Sequence, residues 1–150
     1  MPTHFQGSPE QVRALETFIK LVRATETLNA RLQSSLAEEG LTLGQMGVLE
    51  ALLHLGPMCQ RALGKKLLRS DANVTTVLDN LERAGLIRRA RSAQDRRLVN
   101  VELTGQGRDL IGRVFPGHVR LIAESLSTLS AAEQKELARL CKKLGLSLAA

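Results

Sequence analysis

Tryptophan and tyrosine are absent from this sequence, and phenylalanine occurs only three times. Stacking the bases of single-stranded nucleic acid needs aromatic planes, so that mode of binding is disfavoured. Cysteine is nearly as scarce: Cys59 and Cys141 lie far apart and belong to no CxxC or Cys/His cluster. His4, His54 and His118 are equally scattered, so no metal-ligand spacing arises and neither a metal nor another cofactor is expected. Buried small hydrophobes is the plain reading of both thiols. Long apolar runs are missing too. The stretch 48–55 is interrupted by Glu50 and His54, nothing approaches about 18 apolar residues, and no membrane partner is expected. Residues 1–9 lack the basic start and apolar segment of a secretory signal, which makes a cytoplasmic location the expectation. Catalytic sets are also wanting. Glu38 and Glu39 read as a solvated pair at a helix end, and Gly105 and Gly107 lack the context of a phosphate-binding loop. An enzyme is not expected.

What the sequence does have is positive charge in one place. Its 150 residues carry 21 Lys/Arg against 15 Asp/Glu, and 43% are hydrophobic, enough for the core of a single domain. Residues 59–108 hold eleven Lys/Arg against five Asp/Glu, while 1–58 sum to −2 and 109–150 to +2. The whole excess therefore lies in one central segment, as a phosphate-binding face requires. A membrane surface would ask for a basic amphipathic helix with bulky aromatics. Duplex DNA is the better partner.

The apolar periodicity and punctuation predict six helices and a hairpin. Ser8, Pro9 and Glu10 open a helix that runs to about Glu39 and stops at Gly40. At roughly 30 residues it would extend about 45 Å, more than a domain this small covers alone, so it calls for a partner helix from a second chain. Thr42 caps a helix over 43–55, ended by Gly56 and Pro57; a short helix follows over 60–68. Ser70 caps a helix over 71–84, which Gly85 terminates. Residues 86–91 and 98–103 read as strands, the second alternating through Val99, Val101 and Leu103, around a polar tip at 92–97. A long helix begins after Thr104, with Pro116 placed to kink or break it. Ser130 and Glu133 form a capping box for the last helix, which Lys142, Lys143 and Gly145 should close. There is no internal repeat, linker or low-complexity tract.

Two short helices followed by an arginine-tipped hairpin make a winged helix-turn-helix. The fold class expected is mainly α with a small β wing. A recognition helix must bury one face and present short polar side chains to base edges on the other. In 71–84, Val74, Val77, Leu78 and Leu81 supply the buried face, and Asn73, Thr75, Thr76 and either Asp79 or Asn80 the polar one. Arg96 and Arg97 stand where a wing would enter a minor groove, with Asp95 placed to pair with one of them and fix the tip. Lys65, Lys66, Arg69, Arg88, Arg89 and Arg91 are candidates for backbone phosphates.

The segment 64–103 and its flanks resemble the MarR (multiple antibiotic resistance regulator) family. The resemblance rests on Leu63-Gly64-Lys65-Lys66-Leu67, on Asn73-Val74-Thr75-Thr76-Val77-Leu78-Asp79-Asn80-Leu81-Glu82 and on Gly85-Leu86-Ile87-Arg88-Arg89. Asp95-Arg96-Arg97 and Val101-Glu102-Leu103-Thr104, with Gly107 three residues on, complete it. It implies one domain over 1–150, a winged helix-turn-helix at 42–104, and dimerisation helices at 9–40 and 105–148. It further implies a homodimer reading a pseudo-palindromic operator, with Asn73, Thr75 and Thr76 as base readers, Arg96 in the minor groove, and Asp95 and Arg97 bracing the wing. The family often has a basic residue where Thr76 stands, so the operator read here need not match a relative's.

A ligand crevice between the dimerisation helices and the DNA-binding part is also implied, with Phe18, Met46 and His54 as its candidate lining. The stretches 56–60 and 114–118 resemble regulators that answer quinones, hydroquinones or related phenolics. The expected function is thus a repressor of transcription relieved by a small aromatic effector. Two alternatives stand beside it: a low-specificity architectural DNA binder, and a redox sensor acting through Cys59, since no cysteine lies near the first helix.

Overall fold

The computed structural model of the chain describes residues 3–67 and 71–149. Helix α1 spans Pro9–Ala37, α2 Leu43–Leu55, α3 Gln60–Lys66, α4 Asp71–Arg83, α5 Gly105–Leu126 and α6 Ala131–Leu148. The strands are β1 (Met58–Cys59), β2 (Ile87–Arg91) and β3 (Val99–Leu103). They form one antiparallel sheet in the order β1-β3-β2, so β3 is central. Among the described residues no helix is long and apolar enough to cross a membrane.

Local chemistry accounts for most boundaries. Ser8, Thr42 and Ser130 each accept from the backbone amide three residues on, and the Gln11, Gln45 and Glu133 side chains accept in return from the cap amides. Gly56 and Gly85 adopt φ of 78° and 77°, a conformation that costs an L side chain energy, and so end α2 and turn the chain from α4 into β2. The Ser70 cap and the far end of the 60–68 helix lie outside the described residues. Two expectations need correction. Helix α5 continues through Pro116: the amide lost there would have bonded the Gly112 carbonyl, and Gly112 is solvent-exposed with open space around it. Helix α6 does not close at Gly145 but reaches Leu148, the Ala149 amide bonding back to the Gly145 carbonyl at 3.1 Å. Strand β1 was not anticipated by the residue pattern. It pairs Met58 with Val101 and Cys59 with Asn100.

The core lies where α2, α4, the sheet and the first half of α5 meet. Leu49, Leu63, Leu78, Leu81, Val101 and Ile111 are fully buried in it. Gln33 of α1 ties the α1–α2 corner, donating to the Leu41 carbonyl and accepting from the Leu43 amide, both at 3.0 Å. Arg113 of α5 reaches Glu39 at 3.0 Å. At the root of the wing, Thr104 donates its hydroxyl to the Gly85 carbonyl (2.6 Å) and its amide to the Leu86 carbonyl (3.1 Å), and caps α5 through the Gly107 amide. The distal helix stands apart from all this: α6 has no buried residue.

Candidate nucleic-acid interface

Helix α4 divides along its length as its periodicity predicts. Val74, Leu78 and Leu81 are buried and Val77 is half-buried, while Asn73, Thr75, Thr76 and Asn80 are exposed on one polar side. The Asn80 Oδ1 accepts from Arg83 Nη1 at 2.9 Å. The Thr75 Oγ1 accepts from Nε2 of Gln60, the first residue of α3, at 3.1 Å.

The tip between β2 and β3 is built from its own polar groups. Ser92 is buried, and its hydroxyl accepts from the amides of Gln94 (3.2 Å) and Asp95 (3.3 Å). Asp95 takes Arg97 as partner: Oδ1 accepts from the Arg97 amide and Nε, both at 3.0 Å, and Oδ2 from Nη2 at 2.9 Å. Those bonds hold the Asp95 carboxyl below its ordinary range, the side-chain bond from Arg97 contributing most. Arg91 Nη1 donates to the Arg96 carbonyl at 2.9 Å. Arg96, carried on this frame, is exposed. Between the tip, α4 and the start of α3 lies a cleft of about 570 Å³ lined by Gln60, Arg61, Val74, Asp95, Arg97, Leu98 and Val99.

The other basic residues divide by what already holds them. Lys65 and Lys66 are exposed in the last turn of α3, and Arg69 lies outside the described residues. Arg88 pairs across the hairpin with Glu102 at 3.1 Å and stays largely exposed. Arg89 differs: its side chain is 19% exposed, and its guanidinium is held by Asp79 and Glu82 of α4. Burial opposes its charge, but the hydrogen bonds it donates to those carboxylates outweigh the burial and raise its pKa. In strand β2, Arg89 shares the inward face with Ile87, and that alternation was the available sign that it faces α4.

The three residues expected to line a crevice do not converge. Met46 is 1% exposed within the core, and Phe18 is 61% exposed on α1. His54 sits on the α2 surface, its Nδ1 donating to the Glu50 carbonyl at 3.0 Å and its ring 5.0 Å from that of Phe115. It lines a groove of about 360 Å³ with Glu50, Leu55 and Lys66. His118, which the residue pattern did not single out, lies buried behind Phe115, and its Nδ1 has no hydrogen-bond partner among the described residues. Burial lowers its pKa, partly offset by the Glu50 charge. Neither thiol is the buried hydrophobe expected: Cys59 is half-exposed in β1 and Cys141 exposed on α6.

Known proteins share this arrangement. Residues 41–99 match the MarR family. The HTH-type transcriptional regulator MhqR of Bacillus subtilis (strain 168) is 33% identical over 135 residues, spanning 90% of this chain and 93% of MhqR. Among solved structures, the MarR family transcriptional regulator Sco3205 of Streptomyces coelicolor, in complex with DNA, has a TM-score of 0.87 at 20% identity, over 98% of this chain and 93% of Sco3205. That likeness speaks for the fold. Bordetella bronchiseptica BpsR, whose DNA binding is regulated by 6-hydroxynicotinic acid, has a TM-score of 0.78 at 27% identity, over 86% of this chain and 98% of BpsR. With the winged helix-turn-helix in place and MhqR aligned over nearly its whole length, the chain belongs to the MarR family of DNA-binding transcriptional regulators.

Proposed function

We propose that the protein is a sequence-specific repressor that binds a pseudo-palindromic operator as a cytoplasmic homodimer and releases it when a small aromatic molecule binds. The observation that carries this reading is the pairing of an exposed Asn73/Thr75/Thr76 edge on α4 with an arginine-bearing wing whose shape is fixed from within. Residues 42–104 form the reading unit. Asn73, Thr75 and Thr76 meet base edges in the major groove, with Asn80 at the margin, and Arg96 enters the minor groove. Lys65, Lys66, Arg69, Arg88 and Arg91 face phosphates, whereas Arg89 serves as a brace between β2 and α4.

The helices at 9–40 and 105–148 form the dimerisation part. Its support is apolar surface without cover: Leu137, Leu140 and Leu144 stand 42–48% exposed along α6. A cavity of about 640 Å³ between α1 and the α5–α6 end is lined by Leu21, Leu28, Leu126, Leu129 and Leu137. A second copy supplies the helices that fill it. Release by an aromatic molecule draws support from BpsR and from the His54–Phe115 ring pair where α2 meets α5. An effector acts only through different affinities for the DNA-competent and incompetent dimers.

The test is fluorescence anisotropy against the protein's own upstream DNA and a scrambled duplex at two salt concentrations. A preference of about 10³-fold or more that survives physiological salt is expected. Equal, salt-sensitive binding to both duplexes would make it an architectural binder, and no binding would make it a protein-interaction module.

A further inference from the structure

A helix in the major groove and an arginine in the adjacent minor groove have one thing between them, the sugar-phosphate strand that divides the two grooves. In this fold the space between α4 and the wing tip is the cleft of about 570 Å³, bordered by the start of α3. Its lining residues differ in how far they are already committed. Asp95 and Arg97 cancel each other's charge through their ion pair at 2.9 Å. Gln60 has its side-chain amide nitrogen on Thr75 Oγ1. Arg61 is exposed, and no carboxylate among the described residues pairs with it. The fold does not account for its charge either. It sits in the first turn of α3, where a cation opposes the helix dipole and where no acidic residue balances it. Lys65 is exposed one turn further on. Residues four apart share a helix face, so the two cations form a row that begins at the cleft.

We propose that this cleft seats the DNA strand that divides the two grooves, and that Arg61 binds a phosphate of that strand. Val74, Leu98 and Val99 give the cleft apolar walls, and a charge between such walls is screened less than one in open water. The Asp95 carboxylate, which would repel a phosphate, is neutralised by Arg97. Arg61 therefore supplies the unbalanced positive charge among the cleft's described residues. A phosphate contact is blind to base identity but fixes how the protein sits along and across the duplex. Held at Arg61, the strand has α4 on one side and Arg96 on the other, so that both enter their grooves together. The residue acts on affinity and register, not on the choice of base. The inference rests on α4 lying in the major groove and Arg96 in the minor groove, as proposed above.

The test compares the full-length chain with Arg61→Ala on the protein's upstream duplex, in which single phosphates are replaced in turn by uncharged methylphosphonate. The wild type is expected to lose about fivefold in affinity when the phosphate between the α4 and wing contacts is neutralised. Arg61→Ala should bind the unmodified duplex and a scrambled one more weakly by the same factor, about fivefold for each half-site. Its salt slope should be shallower by about one for each half-site. At the phosphate in question the modification should cost the variant nothing further, while other phosphates keep their effect. Arg61→Lys, which retains a point charge, should recover most of the affinity. Thermal unfolding should be unchanged in both variants. Three results overturn the proposal: Arg61→Ala keeps the wild-type affinity and salt slope, loses affinity for one sequence only, or stays as sensitive as the wild type at every methylphosphonate. If the wild type binds no duplex, or tolerates neutralisation of every phosphate between the two grooves, the placing of α4 and the wing falls first and this inference with it.

Discussion

Arg89 donates to Glu82 through both its backbone and its side chain: the amide to Oε2 at 3.0 Å, Nε and Nη2 to Oε1 at 3.2 and 2.9 Å. Asp79, one turn back along α4, takes the same guanidinium. The first wing strand, β2, is thereby clasped to α4. Arg89→Ala is expected to lower stability by about 1–2 kcal/mol in chemical denaturation, the exposed carboxylates keeping the figure modest. Arg89→Lys should recover little, because an ammonium cannot span both acids with a planar fork. A wild-type denaturation midpoint for Arg89→Ala would refute the brace. The Arg89 side-chain bond, then its backbone bond, lowers the Glu82 pKa from 4.5. A lowered carboxylate pKa stabilises the fold above the unfolded value and loses that contribution as pH falls through the folded one. The difference between wild type and Arg89→Ala should therefore narrow well below pH 4.5.

A methyl group added at Gly107 would lie 2.0 Å from the Leu86 carbonyl oxygen. That oxygen already accepts the Thr104 amide, so it is not free to swing aside. Gly107→Ala should cost about 2–3 kcal/mol by forcing α5 off the start of β2. Gly112→Ala, at an open position on the same helix, should be neutral or stabilising. Equal midpoints for the two variants in thermal denaturation would show that the close approach is not needed.

His118 is 8% exposed, and burial sets its pKa below the ordinary 6.5, against the pull of Glu50 on the facing helix. Above pH 6.5 both folded and unfolded forms are neutral at this residue, and it adds no pH dependence. As pH falls below that value the unfolded chain binds the proton first, so stability declines until the folded pKa is passed. His118→Phe should remove that part of the slope. Thermal midpoints recorded from pH 8 down to about pH 5 decide the matter, since unchanged slopes in the variant would assign the acid loss to other groups.

Arg96 and Arg97 are neighbours in sequence but not in circumstance. Arg96→Ala should weaken operator binding by about 1–3 kcal/mol while leaving the fold intact. Asp95→Ala releases the Arg97 clamp and should weaken binding through a looser tip, with a larger entropic cost in calorimetry. Arg96→Ala binding like wild type would remove the wing from the minor groove.

Much of this molecule was legible from its residues because much of it is locally determined. Capping serines and threonines, turn glycines and the 3.6-residue period of α4 act over a few positions, and a sequence displays them. Strand β1 does not behave that way: two residues cannot show alternation, and β1 exists because Val101 and Asn100 arrive opposite it from some forty residues away. The same holds for the site. Asn73, Thr75 and Thr76 could be placed by period alone, whereas Arg88, Arg89 and Arg91 look alike in the sequence. Their partners, Glu102, the Asp79/Glu82 pair and the Arg96 carbonyl, are tertiary facts. Pro116 misled for a related reason, since a rule about helix interiors overstates the cost where the freed carbonyl faces water.

Helix α6, eighteen residues without one of them buried, bears on more than assembly. A helix that gains so little from its own chain draws its stability from whatever covers it, and if that cover is a second copy, folding and association share one equilibrium. Mass action then enters: the thermal midpoint should climb as the protein is concentrated and sag as it is diluted. A midpoint indifferent to concentration over several decades would mean that α6 stands by itself. Otherwise the abundance of the regulator sets its durability as well as its occupancy of DNA.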